Sequence, residues 1–142
     1  MDFGAAMFFT DYSMTPAELG KALEARGFES VWAPEHSHIP STRKTPPAGG
    51  GELEKRYYDV MDPFVTLTAA ATATKGLKVG TGVCLVNQRD TIQTAKLVAT
   101  IDHISGGRFC SASAAVGTRT RSRAMALSSK PASRRCASRS RQ

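Results

Sequence analysis

Residues 62–107 read DPFVTLTAAATATKGLKVGTGVCLVNQRDTIQTAKLVATIDHISGG, and this stretch decides the fold class. Asp62-Pro63 has the form of a helix start: a side chain able to accept from free amides, then a proline whose missing N–H costs nothing at the first helical position. The helix is expected over 63–75, with Gly76 placed to close it. Leu77 to Val86 is almost continuously apolar, as in a strand buried on both faces. Asp90 then caps a helix over 91–105, in which Ile92, Leu97, Val98, Ile101 and Ile104 recur at helical spacing and Gly106-Gly107 ends the run.

The same grammar precedes it. Residues 2–9 are a short apolar run suited to a buried strand. Thr15-Pro16-Ala17-Glu18 is a capping box, Leu19, Ala22 and Leu23 follow at helical spacing, and Gly27 can end that helix in a left-handed conformation. Residues 28–33 (FESVWA) return to strand character. A polar stretch from Glu35 to about Arg56, holding Pro40, Pro46, Pro47 and Gly49-Gly50-Gly51, is too long for a mere connector. Helices are thus expected near 15–26, 63–75 and 91–105, and strands at 2–9, 28–33 and 78–86. This alternation means parallel βα units. Periodicity does not separate an open doubly wound sheet from a (β/α)8 barrel. The first turn, FTDYSMTP, has no glycine to admit a pyrophosphate, which weighs against the open dinucleotide-binding sheet.

Charge divides the chain in two. Residues 110–142 contain eight Lys/Arg, eight Ser and seven Ala but no Asp or Glu. Without them, the 19 basic and 12 acidic residues of the whole chain fall to 11 against 12, so the net +7 belongs to the C-terminus. The expected organisation is a folded body over 1–109 and a basic, disordered tail over 110–142. A nucleic-acid function would rest on that tail alone, which has no aromatic residue for stacking and offers only nonspecific attraction to polyanions. The three cysteines, Cys84, Cys110 and Cys136, show no paired spacing, so neither a disulfide framework nor a zinc site is expected. With no long apolar run and no secretory signal pattern, the reading is a cytoplasmic protein without membrane association.

In a parallel barrel, chemistry sits on the loops after the strands. Three places qualify here: Phe9–Ser13, Pro34–Pro40 and Val83–Asp90. APEHSHIP is the most suggestive, because it puts a carboxylate and two histidines directly behind a buried strand, where an imidazole can act as acid, base or anion contact. The bland reading is that these groups only cap a loop. His36 and His38, two residues apart on a loop with no further ligands, fall short of a metal site. His103, near the apolar face of the last helix, reads as structural. The glycines of VGTGV lie inside a strand, where they mark a bulge or a close backbone approach rather than a phosphate loop.

The segments GFESVWAPEHSHIP, DPFVTLTAAATATKGLKVGTGVCLV and QRDTIQTAKLVATIDHISGGRF together resemble the N-terminal part of the luciferase-like oxidoreductases, and more narrowly the members that use the deazaflavin coenzyme F420. The resemblance covers essentially all of residues 1–109. It implies the first three βα units, and the start of the fourth strand, of a (β/α)8 barrel. It also implies a coenzyme in the barrel mouth, hydride transfer to or from a small organic substrate, and a homo-oligomeric full-length protein. His36 matches the histidine that faces the deazaflavin ring and is the candidate catalytic residue. Glu35, His36, Gly82 and Val83 are the candidate coenzyme contacts, with Gly82-Val83 at the third-strand bulge where the family carries a non-prolyl cis peptide. The alternative cofactor on the same barrel is FMN, in a monooxygenase.

The resemblance stops after GGRF. The family continues with a strand and loop of the type LLGVGxGWN, then acidic residues and a His-Gly, whereas this chain reads CSASAAVGTRTRSRAMA. Shifting the frame by one base at codon 110 lets most of the tail read Leu-Gly-Val-Gly-Gly-Gly-Trp-Asn-x-Asp-Glu-Ile-Glu-Gly-His-Gly. Trp, Asn and Ile each require A or T at the free base, while the Gly read across Met125 and Ala126 is forced, because Met has one codon. The tail is therefore expected to be frame-shifted coding sequence. The chain as written is expected to lack the later strands, to be unable to close the barrel, and to be inactive.

Overall fold

The structure, a computed structural model, describes residues 1–39 and 50–115. In chain order it contains β1 (Gly4–Ala6), α1 (Pro16–Ala25), β2 (Ser30–Ala33), α2 (Arg56–Asp59), α3 (Pro63–Thr72), β3 (Lys78–Leu85), a 3-10 turn at Val86–Gln88, α4 (Thr91–Ser105) and β4 (Phe109–Ala114). The four strands form one sheet in the order β1-β2-β3-β4, every pair parallel. This is the α/β arrangement of a partial (β/α)8 barrel. Among the described residues no helix is long and apolar enough to cross a membrane.

The helix starts are those read from sequence. The Thr15 hydroxyl accepts from Glu18 N while the Glu18 carboxylate accepts from Thr15 N, a reciprocal cap. Asp62 Oδ1 accepts from Phe64 N and Val65 N at 2.9 and 3.1 Å, and Asp90 Oδ1 from Gln93 N at 2.8 Å. Gly27 (φ +74°) and Gly106 (φ +66°) take the left-handed conformation at the ends of α1 and α4.

The element ends differ in places. β2 begins at Ser30 rather than residue 28, because Phe28 N still bonds to Leu23 O at the end of α1. β1 stops at Ala6 because the chain beyond it is taken up elsewhere: Phe9 enters the core and its carbonyl accepts from Met61 N. α3 stops at Thr72, ahead of Gly76, which does not act as its terminator. Thr74 Oγ1 instead donates to Ala70 O at 2.9 Å, and the Glu24 carboxylate accepts from the amides of Lys75, Gly76 and Leu77. β4 runs on to Ala114, so paired strand continues past the composition break at 109/110. The remainder of the tail reading, with its polyanion binding, lies outside the described residues.

The two faces of the sheet do different jobs. Val31, Ala33 and Val79 face the helices and bury Leu23, Phe64, Leu67, Ala70, Ala71 and Ile101 against them. Gly20 lets α1 lie on α3: a Cβ there would sit 3.2 Å from Thr74 Cγ2 and 3.3 Å from Ala70 O. On the opposite face lies Trp32, its Nε1 donating to Ser30 Oγ at 2.9 Å. Its indole occupies the space that a side chain at Gly80 would fill, a Cβ there coming 2.5 Å from Cζ3, and with Ser30 Oγ it also fills the space beside Gly4. The strand glycines are thus close-approach positions. α4 departs from its expected apolar face. Ile101 is buried and Val98 packs beside it, but Ile92 is 79% exposed and Leu97 and Ile104 are exposed too. Its apolar stripe is wider than the surface that α3 and the sheet cover. His103 also points outward, in the last turn, and has no core role.

The N-terminal end of the sheet is held by Arg108. Its Nε donates to Ser105 O at 2.7 Å, Nη1 to Leu77 O at 2.6 Å and Nη2 to Ala71 O at 2.8 Å, joining α3, β3 and α4. Arg108→Met leaves these carbonyls without donors and should lower unfolding free energy by about 1–3 kcal/mol in urea melts. An unchanged midpoint would show that water replaces the guanidinium freely. The Glu24 carboxyl is held below its ordinary value of 4.5, first by the Gly76 amide and then by those of Leu77 and Lys75, against an opposing effect of burial. A carboxyl lowered in the folded state adds stability above pH 4.5 that is lost as pH falls through the lowered value. Glu24→Gln should therefore flatten that part of the acid limb of a Tm-versus-pH curve, and an unaltered limb would contradict it.

Candidate functional site

The C-terminal ends of β1, β2 and β3 carry Phe8–Thr10, Glu35–Ser37 and Gly82–Val83. The β3–β4 register shifts between Thr81 and Cys84, and the Gly82–Val83 peptide there is cis. The third strand thus carries its bulge where the sequence placed it. Gly82 is exposed and Val83 half-buried, on the face that holds Trp32; a Cβ at Gly82 would meet only Trp32 Cβ at 3.3 Å and Cε3 at 3.9 Å.

Glu35, grouped with the coenzyme contacts on sequence, is turned inward and 2% exposed. Its Oε2 accepts from Leu85 N at 2.8 Å and its Oε1 pairs with Arg89 Nε. Arg89 reaches on through Nη2 to Asp62 Oδ2, and its guanidinium lies 4.9 Å from the Phe64 ring centroid. Both oxygens of Glu35 are therefore bonded to protein groups, and what the carboxylate holds is the geometry of the strand ends. Burial, with the Glu35 carboxylate beside it, pushes the Cys84 thiol up to about 12. Cys84 stays a protonated core residue without nucleophilic character.

His36, the next residue, is half-buried. Its ring meets the edge of Tyr57 at 5.1 Å between centroids and 81° between planes, and its Nδ1 is buried without a hydrogen-bond partner. Burial lowers the imidazole pKa from 6.5, with Glu35 opposing the shift. At pH 7 the ring is neutral, so one nitrogen donates and the other accepts. His38 is drawn aside: Ser37 Oγ sits 3.0 Å from His38 Nδ1 and donates to Gln88 Oε1 at 2.7 Å. Beside His36 opens a cleft of about 220 Å³ walled by Glu35, Ser37, Val60, Met61, Asp62, Pro63 and Arg89.

A flat ring coenzyme would find matching features at this end: a neutral imidazole with an unpartnered nitrogen, and an open glycine peptide on the neighbouring strand. Among the described residues lining the cleft, Arg89 is the only cation, and it is paired with Glu35 and Asp62. The described residues therefore fit the ring and not a phosphate. Sequence reasoning missed Arg89 and Tyr57. The signal for Arg89 was Glu35 itself, since a carboxylate directly behind a buried strand needs a cation. Tyr57 lay in what read as the end of a loop and gave no signal.

The sequence profile of the luciferase-like monooxygenases matches residues 15–119. An uncharacterized protein of Mycobacterium tuberculosis is 39% identical over 111 residues, 76% of this chain and 39% of the relative. The 5,10-methylenetetrahydromethanopterin reductase of Methanolobus tindarius is 30% identical over 108 residues, 76% of this chain and 27% of that enzyme. Among solved structures, the coenzyme F420-dependent tetrahydromethanopterin reductase of Methanopyrus kandleri aligns with a TM-score of 0.60 at 26% identity, covering 87% of this chain and 29% of the other. A type II Baeyer–Villiger monooxygenase of Pseudomonas putida, in complex with FMN, shares the fold with a TM-score of 0.63 at 15% identity, covering 87% and 32%. This chain spans at most 39% of the length of these relatives.

The Glu35–Arg89 pair generates a test. Arg89→Met leaves a buried carboxylate uncompensated and should cost about 3–5 kcal/mol, whereas adding Glu35→Gln to that variant should recover a large part of the loss. Denaturant midpoints that simply add for the two changes would mean the pair is not coupled.

Proposed function

The chain belongs to the luciferase-like monooxygenase family, and on that premise we propose that it carries the ring-facing part of an oxidoreductase site for coenzyme F420. His36 carries the reading: a half-buried, neutral imidazole at the C-terminal end of β2, with Nδ1 free of any protein partner. The coenzyme, when bound, supplies or accepts the hydride exchanged with a small organic substrate. His36 and the Gly82–Val83 peptide of β3 would hold the ring, and the neutral imidazole would hold or take up a proton there. Glu35 and Arg89 keep the ends of β2 and β3 in place. FMN on the same fold is the second reading. F420 is favoured because the relatives at 30% and 26% identity are a methylenetetrahydromethanopterin reductase and an F420-dependent reductase, while a 4-hydroxyprotoasukamycin monooxygenase at 28% keeps the second reading open to test.

The contacts this reading assigns, His36 and Gly82–Val83, are few for a large ligand whose binding must offset its ordering cost. The experiment compares the 142-residue chain with the protein translated after the frame is restored at codon 110. Both are titrated with reduced F420 and with FMN, following fluorescence. The longer protein should bind F420 more tightly than FMN, and the 142-residue chain at least about tenfold more weakly, a loss of about 1.4 kcal/mol or more. Equal binding by the two chains would show that residues 1–109 suffice, and a preference for FMN would select the second reading. In the longer protein His36→Ala should lower turnover by about 10²–10⁴-fold, the range for a proton-transferring side chain, with Tm little changed. Full turnover in that variant removes His36 from the chemistry.

A further inference from the structure

α2 is a single turn with little of its own to hold it on the body. Tyr58 N and Asp59 N bond back to Lys55 O, Lys55 pairs with Asp59, and Arg56 with Glu54, all at exposed positions. Exposed pairs of this kind contribute little. Lys55, 4.6 Å from the Tyr12 ring, and Asp59, bonded to the Tyr12 side chain, touch the turn after β1, and Tyr57 reaches the body between two rings. The Tyr57 ring stands edge-on to Phe8, at 4.9 Å between centroids and 70° between planes, and edge-on to His36 at 5.1 Å and 81°. The Arg56 guanidinium lies 5.1 Å from the Phe8 ring and 5.6 Å from the Tyr57 ring, beside both. A little further along, Met61 N bonds to Phe9 O at 2.8 Å and fixes the exit of the segment on the end of β1.

We propose that Tyr57 is the positioning residue for His36: its phenol ring, wedged between Phe8 and the imidazole, fixes the imidazole's orientation and keeps water from that side of it. Three observations join here. The aromatic pair has the edge-to-face geometry that such rings favour, worth more than the area it buries. Nδ1 of His36 is out of water with no protein group to replace it, so something must hold the ring where solvent would otherwise reorient it. The lowered pKa of His36 has burial as its leading cause, and Tyr57 is the ring that lies against it. The charges around the imidazole are Glu35 next in the chain, Arg56 beside Tyr57, and Arg89 paired with Asp62 in the cleft wall. Glu35 raises the pKa of His36, and burial outweighs it.

The inference rests on the reading of His36 as the ring-facing residue, but its test needs no coenzyme. His36 resonances are followed through pH in the 142-residue chain, carrying His38→Gln and His103→Gln so that one imidazole remains. They are compared with the same chain bearing Tyr57→Phe, Tyr57→Leu or Tyr57→Ala. With Tyr57→Ala the titration midpoint should rise toward 6.5, and the ring-current displacement of the His36 carbon-bound protons should vanish. Tyr57→Phe keeps the ring and should keep both signals. Tyr57→Leu keeps some dryness without the ring and should lose the ring-current displacement while retaining part of the midpoint shift. An unchanged midpoint in Tyr57→Ala overturns the proposal, as does a Tyr57→Phe variant that behaves like Tyr57→Ala. Failure of F420 and FMN to bind the longer protein would remove the coenzyme reading and leave these titrations standing.

Discussion

One buried carboxylate ties the site together. Glu35 follows β2 directly and lies where water does not reach, so its charge must be met by protein groups or it cannot remain there. Leu85 N meets one oxygen, from the last residue of β3. Arg89 meets the other and passes the interaction on to Asp62, whose remaining oxygen caps α3. A single charge thus fixes the ends of two strands, the start of one helix and the approach to another. His36, next in the chain, inherits its position from that arrangement. Both residues line the cleft, and the one whose oxygens are bonded to protein groups holds the other in place.

Much of the fold was legible because its signals are local. Thr15 with Glu18, Asp62 before Pro63, and Asp90 mark helix starts through groups a few residues apart, and the structure keeps each one. The continuous apolar run before Asn87 marks β3 in the same way. What escaped involves partners distant in sequence. Gly76 looked like a helix terminator, but the turn there is closed by Glu24, about fifty positions earlier. The pairing of Glu35 was hidden because its partner, Arg89, sits far along the chain. Tyr57 could be recognised only once α2 lay against His36. The composition break at 109/110 was real as composition, but a strand takes its partner through backbone groups, and Cys110–Ala114 pair with β3 whatever their side chains.

The two ends of the sheet are stabilised by different means. At the N-terminal end, Arg108 and Glu24 satisfy carbonyls and amides left open where α3 passes into β3 and α4 into β4. These contacts serve the backbone and leave no polar atom waiting. At the other end, ionic groups are also matched, yet Nδ1 of His36 is left over, as is Thr10 Oγ1 at the end of β1. That asymmetry agrees with the division of labour in parallel barrels, where one rim carries stability and the other chemistry.

The indole of Trp32 lies over ground that only hydrogen atoms at Gly4 and Gly80 leave vacant. In evolutionary terms these positions form a linkage group. A lineage in which Gly80 acquires a side chain must first shrink the residue at 32, one in which Gly4 does must also move Ser30, and one that shrinks residue 32 first opens a void beside β3. Each single step is penalised and only the joint change is neutral, so drift in this part of the barrel should be slow and correlated. A surface helix such as α4, whose Ile92 touches little, is free to vary one position at a time.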